Sequence, residues 1–365
     1  MTSRATIPAL VALLPSCAND YILTGEAVNV DPETVTECAF TRVEQSSFYR
    51  YDCNPVFSTT DEGWADTIGS TTFFVTEVVG HPFYQLWYTA EQESDQQFPP
   101  WSMGYAISPD GTEFTPNTGN PVLDQPQEKD WDFDSMDALQ VVWDPDTEQY
   151  VMIYQGINDK ESGYGLGAAT SPNGQKWSRY DQNPVYDLHE AVGDVQGWCW
   201  PLGLTLGDVA GYTGYIAGQT QGTNACEVYR LNASDVGTWE PSEKRVLPAG
   251  EDGDWDAAGF SSLAIAELEN ERLMFYTGFG SWTRQGNFQV ATNLYFGVAG
   301  YENDDWQKWG DYIPLNNTDD GRVSAVSART VGSRIHLWIT DDYDGVQAVG
   351  YFLYDPERAA SEDTE

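Results

Sequence analysis

The sequence is poor in basic residues. It has 17 lysines and arginines against 57 aspartates and glutamates, for a formal net charge of −40 over 365 residues. Nucleic-acid binding needs clustered Lys and Arg, so we expect no nucleic-acid partner. The acidic residues are spread through the loops, which we interpret as a source of solubility or an adaptation to a salty habitat.

Patterns that hold metals or activate a serine are also missing. The chain has 3 histidines and no Cys-x-x-Cys pair, which argues against a metal site. It has no Gly-x-Ser-x-Gly turn, which argues against a Ser-His-Asp triad. We therefore expect no cofactor; calcium bound by a minority of the carboxylates is the alternative. His81 and His336 are interpreted as turn or packing residues.

A long apolar run is absent from the N-terminus. Residues 7–15 are apolar but too few to span a bilayer as a helix, and Arg4 precedes them, as in a signal peptide. Leu-Pro-Ser-Cys, ending at Cys17, resembles the lipobox of bacterial lipoproteins. The resemblance implies cleavage after residue 16 and a lipid anchor on Cys17, hence an exported outer-membrane or cell-surface protein. A plain secretory signal is the alternative.

Cysteine is scarce, and its number fits export. If Cys17 carries the anchor, four cysteines remain, and an even number in an exported protein predicts two disulfides. Three connectivities are possible. We favour nearest-neighbour pairing, which joins Cys38 to Cys53 and Cys199 to Cys226.

What the sequence does contain is a phrase repeated about every 65 residues. It opens with Asn-Pro-Val at Asn54, Asn120 and Asn183, and passes through a loop with Trp and Asp. Short apolar and aromatic strands follow, and two copies close on Ser-Pro-Asp/Asn-Gly. In the second copy, segments 138–143, 150–154, 163–170 and 177–180 have the composition of four antiparallel strands with turns between them. Four-stranded repeats of this length are typical of β-propeller blades.

Five copies fit this template, and the fifth lacks its outer strand. Phe48 stands six residues before Asn54, as Phe114 stands before Asn120, so segment 39–50 should complete the fifth copy. We predict an all-β, five-bladed β-propeller over residues 38–355, with four-stranded antiparallel blades and a ring closed by the N-terminal strand. Residues 1–16 are a signal peptide, 17–37 a linker and 356–365 an acidic tail. A β-sandwich or a six-bladed ring is the alternative.

Several of these phrases resemble the five-bladed propeller glycosidases, which comprise glycoside hydrolase families 43, 62, 32 and 68 and the mannoside phosphorylases of family 130. The resemblance covers about residues 38 to 355 and rests on four phrases: Asn120-Pro-Val-Leu123, Leu86-Trp-Tyr-Thr89, Met274-Phe-Tyr-Thr-Gly278 and Gly104-Tyr-Ala-Ile-Ser-Pro-Asp-Gly111. It implies a site in the axial funnel, where the innermost strands begin. It also implies catalytic acids there, an Asp base, an orienting Asp and a Glu acid, in the first three blades.

The acids of this chain match that pattern in part. Asp137, at the start of the second blade's inner strand, matches the orienting Asp best. Asp66 lies a few residues before the first inner strand and could act as base. Glu190 and Asp194, in the loop before the third inner strand, are the acids nearest the expected position of the Glu. Glycosidases need two carboxyl groups across the scissile bond, one protonated and one ionised.

Other residues are candidates for contact with the sugar. The indole face stacks on the C–H face of a pyranose, so we predict sugar contacts from Trp101, Trp198, Trp200 and Trp282; packing between blades is the alternative. We also assign substrate-binding roles to His189, Asp134 and Asp256. For Asp132 and Asp256, which follow Trp131 and Trp255, the alternative is a turn cap or a bond to a neighbouring backbone.

We therefore predict a surface-anchored glycoside hydrolase that binds an oligo- or polysaccharide and acts through funnel carboxylates. It is expected to be a monomer that meets the membrane only through its lipid anchor. One alternative is a non-catalytic lipoprotein that binds glycan or protein. A third possibility is an extracytoplasmic scaffold without a small ligand, since a fold does not determine a function.

Overall fold

The structure is a computed structural model, and it describes most of the chain from residue 38 onward. The described residues are 38–363 except 45, 60–63, 79–80, 92–100, 124–129, 159–162, 190–194, 207–210, 223–224, 270, 286–287 and 316–322. The predicted signal peptide, linker and anchor residue Cys17 lie outside this range.

The described chain is almost entirely β-strand, and its strands fall into successive groups. Two short N-terminal strands come first: β1 (Phe40–Arg42) and β2 (Phe48–Tyr51). Group one contains β3 (Thr67–Val78), β4 (His81–Glu91), β5 (Trp101–Ser108) and β6 (Thr115–Pro116). Group two contains β7 (Ser135–Asp144), β8 (Gln149–Asn158), β9 (Gly163–Ser171), β10 (Ser178–Arg179) and β11 (Tyr186–Asp187).

The remaining strands form three further groups. Group three contains β12 (Val195–Leu206), β13 (Tyr212–Thr220), β14 (Cys226–Asp235) and β15 (Thr238–Leu247). Group four contains β16 (Gly259–Leu268), β17 (Glu271–Gln285), β18 (Phe288–Glu302) and β19 (Asp305–Lys308). Group five contains β20 (Ala325–Val331), β21 (Arg334–Tyr343) and β22 (Val346–Tyr354). Residues 356–362, assigned from the sequence to an acidic tail, form helix α1 (Pro356–Glu362), which is capped by Asp355.

Within each group the neighbouring strands are antiparallel, so the predicted all-β class with antiparallel sheets is confirmed. A single parallel rung between Cys226 and Gly259 joins groups three and four into one eight-stranded sheet. The segment expected to complete group five pairs with it, since Phe48 lies opposite Tyr354 in the β2–β22 ladder.

The hydrophobic core is divided into separate clusters that lie between successive groups. Separate clusters join group one to two, two to three, three to four and four to five, and a further cluster joins group five to group one. The first strands of the groups also touch one another in order, and β20 contacts β3. Three of these contacts carry hydrogen bonds from a backbone N–H to a hydroxyl, namely Leu139 to Ser70, Phe73 to Ser327 and Val326 to Ser262.

The repeated Asn-Pro-Val phrase ties the loop after each outer strand to the third strand. The Asn120 side chain accepts a hydrogen bond from the Tyr105 N–H (2.9 Å) and donates to the Tyr105 carbonyl (3.1 Å), as a neighbouring strand would. Asn183 does the same with Ala168, and Asn54 with Tyr351. The Asn-Pro bond is cis in all three copies. The phrase therefore has a structural role, and this role explains why it recurs.

We predict that Asn120→Ala lowers the free energy of unfolding by about 1–3 kcal/mol, because it leaves the N–H of Tyr105 without its partner, while the Tyr105 carbonyl keeps the bond from the Asn117 N–H. Urea denaturation followed by tryptophan fluorescence measures the loss. Asn117→Ala, three residues earlier in the same turn, is the matched control and should cost less than about 1 kcal/mol. Equal losses in the two variants would contradict the role assigned to Asn120.

Both predicted disulfides are confirmed. Cys38 is bonded to Cys53 and Cys199 to Cys226. The first bond links the ends of the hairpin that supplies β1 and β2. The second joins β12 to β14 within group three, with Trp282 packed against it. Nearest-neighbour pairing is thus the connectivity adopted.

Candidate functional site

A cavity of about 270 Å³ lies where the first strands of the groups begin. Its wall comes from groups one, two, four and five. The lining residues are Thr67, Ile68, Gly69, Ser70, Thr71, Trp101, Asp137, Ala138, Gln140, Ser261, Ser262, Ser324, Ala325 and Gln347. The volume is close to the lower end, roughly 300 Å³, of the range for small-molecule sites. The wall combines hydroxyl and amide side chains with apolar groups, and it has Asp137 as the carboxylate and Trp101 as the aromatic ring.

β-Bulges shape this wall. The ladder of β3 shifts register between Ile68 and Thr71, that of β7 between Asp137 and Gln140, and that of β16 between Phe260 and Ser262. Bulges twist a strand locally and redirect side chains, and they are common beside active sites. Ala138 has a φ of 50°, a left-handed conformation that is costly for a residue with a Cβ. That strained residue directly follows Asp137.

The Asp137 carboxylate is held by hydrogen bonds to one of its oxygens. The Ser70 hydroxyl donates to Asp137 Oδ1 at 2.7 Å, the Thr89 hydroxyl at 2.8 Å and the Ser70 N–H at 3.3 Å. The donors come from β3 and β4, so group one positions an acid that belongs to group two. Among the described residues no hydrogen bond engages Oδ2, and this oxygen remains available to a ligand in the cavity.

Trp101 lies against the bulge of β3. A Cβ atom on Gly69 would collide with the six-membered ring of Trp101 and would come within 2.7 Å of the Thr89 hydroxyl. Glycine at position 69 therefore allows the indole to lie close to the backbone, next to the residues that hold Asp137. The sequence predicted a sugar contact at Trp101, and its place in the wall is consistent with that role.

A second acid, Glu91, lies close to Asp137 and was not among the sequence candidates. Partial burial raises the pKa of Glu91, and the negative charge of Asp137 raises it further. Glu91 ends β4, where it lies opposite Trp101 of β5 and Thr67 of β3, two residues of the cavity wall. Strand alternation was the available signal, because Glu91 is two residues after Thr89 and therefore shares its face.

Two buried hydroxyls in the wall have no hydrogen-bond partner among the described residues. They are Thr71 Oγ1 and Ser261 Oγ, which come from the bulges of β3 and β16. Buried polar atoms are nearly always satisfied, so unpaired ones in a cavity suggest contact with water or a ligand. Their positions on two separate strand groups match a ligand that spans the cavity.

An arginine lies beyond the cavity, further along the same strands. Arg329 of β20 donates from Nη2 to the Val141 carbonyl of β7 at 3.0 Å and from Nη1 to the Ala328 carbonyl at 2.8 Å. Burial lowers the pKa of Arg329 to about 10, so the side chain is still charged near neutral pH. This bond joins group five to group two.

The other predicted catalytic acids are not brought into the cavity wall by the described residues. Asp66 is exposed just before β3, and its N–H donates to the Glu91 carbonyl at 2.8 Å. Glu190 and Asp194 lie outside the described residues. Their predicted catalytic roles stay predictions.

The repeated Trp-Asp pairs have a packing role. Trp131 stacks on Tyr154, and Trp255 stacks on Tyr276. Asp132 is buried and accepts a hydrogen bond from the Tyr154 hydroxyl at 2.8 Å. Burial raises the pKa of Asp132, although its hydrogen bond with Tyr154 opposes this effect.

The other acids of these loops also lie away from the wall. Buried Asp256 accepts a hydrogen bond from the Lys308 ammonium at 2.6 Å, which offsets the cost of burying its charge. Asp134 donates its N–H to the Ile157 carbonyl. The predicted substrate contacts of Asp134 and Asp256 stay predictions.

The remaining predicted contacts lie in the loop after β11 and in groups three and four. His189 is exposed and its Nδ1 lies 3.0 Å from an Asp187 carboxylate oxygen. Trp198 is buried and contacts Tyr186 and Tyr229 edge to face. Trp282 contacts Phe279. Trp200 belongs to β12, and its predicted sugar contact stays a prediction.

Among the described residues, no group of three or more His, Cys, Asp or Glu side chains has the arrangement of a metal site. In the same residues no helix has the length and apolar character to cross a membrane.

No protein-family profile matches the sequence. No curated protein sequence matches it either. Solved structures do match its fold, at low sequence identity.

One matching structure comes from the GH130 family of mannoside phosphorylases, described as containing glycoside hydrolases that target β-1,2-mannosidic linkages in Candida mannan. It has a TM-score of 0.60 and 17% identity, and the match covers 90% of this chain and 97% of that one. The β-1,2-mannobiose phosphorylase from Listeria innocua has a TM-score of 0.60 and 13% identity, with coverage of 87% and 99%. A glycosyl hydrolase from Bacteroides ovatus has a TM-score of 0.56 and 18% identity, with coverage of 81% and 86%. The chain thus shares the fold of carbohydrate-active enzymes.

Proposed function

We propose that this protein is a glycoside hydrolase whose active site is the cavity containing Asp137. The observation that carries the proposal is the position of Asp137, which lines the cavity with three hydrogen bonds on Oδ1 and none from the described residues on Oδ2. Trp101 beside it offers a face for the apolar side of a sugar ring. The cavity thus combines an aromatic platform with one of the two carboxyl groups that glycoside cleavage requires.

The proposal includes a closed ring of five blades around this cavity. Its support is the cyclic order of contacts between the first strands, together with the core cluster between groups five and one. In such a ring the beginnings of the inner strands converge at one end of the axis. Side chains from different groups, such as Ser70 and Asp137, then meet at short range.

We favour water over phosphate as the attacking group. The related folds include both hydrolases and phosphorylases. The described wall combines hydroxyls, amides and a carboxylate with an indole and aliphatic groups, a mixed surface that suits a neutral sugar. A phosphate ion would have to approach Asp137 in a protein with a formal net charge of −40, which opposes its binding.

The proposed location is outside the cytoplasm, on the outer membrane or cell surface, through a lipid on Cys17. Its support is the lipobox-like sequence together with the two disulfides, which persist in oxidising compartments. The proposed partner is an oligo- or polysaccharide, bound by a monomer.

A substrate panel tests the function. Protein beginning at residue 18 is incubated with aryl glycosides, β-1,2-linked mannosides and plant, algal and bacterial polysaccharides, with and without inorganic phosphate. We expect release of free sugar at a rate that phosphate does not change. Strict dependence on phosphate, with sugar phosphate as product, would indicate a phosphorylase instead. Glycan retention without turnover would indicate the binding lipoprotein.

A further inference from the structure

We propose that Glu91 is the proton donor to the departing glycosidic oxygen, with Asp137 as its partner that activates water. This inference rests on the proposed hydrolase function and adds the second carboxyl group that glycoside hydrolysis needs. Glu91 was not among the acids selected from the sequence. Its assignment follows from strand register at the wall of the cavity.

The register places Glu91 next to two residues of the cavity wall. Glu91 lies directly opposite Thr67 on β3 and directly opposite Trp101 on β5. Directly opposed residues of antiparallel strands project from the same face. Both neighbours line the cavity, so Glu91 adjoins the wall without being one of its lining residues.

Thr89 connects this face to Asp137. Side chains two residues apart on a strand point the same way and are separated by roughly 7 Å. The Thr89 hydroxyl donates to Asp137 Oδ1 at 2.8 Å. The Asp137 carboxylate therefore contacts β4 at the residue two positions before Glu91. Both carboxyl groups therefore lie near the same stretch of β4, and a separation of roughly 6.5 to 9.5 Å between two such groups is the one that leaves room for an attacking water.

The surroundings of Glu91 suit a proton donor, and those of Asp137 suit a proton acceptor. Glu91 is half-buried beside a negative charge, and both factors raise its pKa and favour the protonated form. Asp137 receives two hydroxyl donors and one N–H donor, which are suited to a carboxylate acceptor. Two acids in distinct surroundings can thus serve as donor and acceptor of protons at the same pH.

The proposed reaction balances as a hydrolysis. Asp137 takes a proton from a water while the water oxygen forms a bond to the anomeric carbon. The bond from that carbon to the glycosidic oxygen breaks, and its electron pair moves to the oxygen. Glu91 gives its proton to this oxygen, which leaves as an alcohol. Proton exchange with solvent then restores protonated Glu91 and ionised Asp137.

Glu91→Gln tests the assignment through its dependence on the leaving group. On a natural-type glycoside with an alkoxide leaving group, we expect a loss of kcat/KM of about 10²-fold or more. On a dinitrophenyl glycoside, whose leaving group needs no proton, the loss should stay within about tenfold. The basic limb of the wild-type pH profile should also disappear, because the acid must be protonated to act. Glu113→Gln, an exposed glutamate beyond β5, is the matched control and should leave both rates unchanged.

A second measurement does not depend on turnover. In the NMR titration of the Glu91 carboxyl carbon, Asp137→Asn should lower the Glu91 pKa, because it removes the neighbouring negative charge. An unchanged Glu91 pKa in that variant would overturn the pairing. Equal losses on both glycosides, or no loss, would overturn the role as acid while the hydrolase proposal stands. Inactivity of the wild-type protein on every glycoside would remove the hydrolase proposal and the role of Glu91 with it.

Discussion

Asp137→Asn is expected to lower kcat/KM for the cleaved glycoside by about 10³-fold, within the range of general acid–base contributions. The substitution removes the negative charge and the ability to take a proton from water. It keeps the size of the side chain and an oxygen that can accept the hydrogen bonds now made by the Ser70 and Thr89 hydroxyls. The wall of the cavity should therefore persist, and the loss should appear in kcat rather than in stability.

The measurement is steady-state kinetics at the pH optimum, beside thermal unfolding of both proteins. Asp252→Asn makes the same change at an exposed aspartate in the loop before β16 and should retain full activity. Asp66→Asn tests the sequence prediction that Asp66 acts as base. Wild-type turnover in Asp137→Asn would contradict the proposed site, and a collapse in Asp66→Asn alone would transfer the base role to Asp66.

Trp338→Ala is expected to lower the free energy of unfolding by about 3–5 kcal/mol, the usual range for truncating a fully buried large aromatic residue. Trp338 of β21 is fully buried between two rings. It stacks on Phe73 of β3 with a centroid distance of 4.3 Å and on Tyr351 of β22 at 5.3 Å. Its indole N–H points to the Gly111 carbonyl at 3.4 Å. The side chain thus fills the contact between group five and group one.

Chemical denaturation followed by far-ultraviolet circular dichroism gives the loss for Trp338→Ala. Trp309→Ala is the matched control, since Trp309 is 48% exposed on the outer side of group four and should cost about 1 kcal/mol or less. A loss below about 1 kcal/mol at Trp338 would mean that the contact between the two groups contributes little to stability.

The strand groups were predictable because their signals are local. The Asn-Pro-Val phrase carries the hydrogen bonds that fasten each loop to a third strand, so it recurs wherever such a loop occurs. The turns and strand compositions between these phrases are local as well. Helix α1 and the short strand β11 carry weaker signals, because two-residue strands and one short helix depend on tertiary contacts.

A site residue was predictable only where its position along a strand distinguished it from the equivalent residues of the other groups. Asp137 was identifiable because it starts an inner strand and the other groups have no acid at that position. Glu91 was missed because it ends a second strand, and its approach to Asp137 depends on how group one packs against group two. The Trp-Asp pairs are the opposite case, because they recur in several groups and their tryptophans serve in packing. Trp131 stacks on Tyr154, and Trp255 stacks on Tyr276. Residue type alone does not separate the two cases.

The pairing of β2 with β22 has a consequence for how the chain is made. A ribosome delivers Phe48 about three hundred residues before Tyr354, its partner in the ladder. Until the last strand emerges, β2 has no backbone partner on that side and exposes an edge that invites pairing with other chains. The final sheet can assemble only after synthesis is nearly finished. Group five is therefore the last of the five groups to become complete.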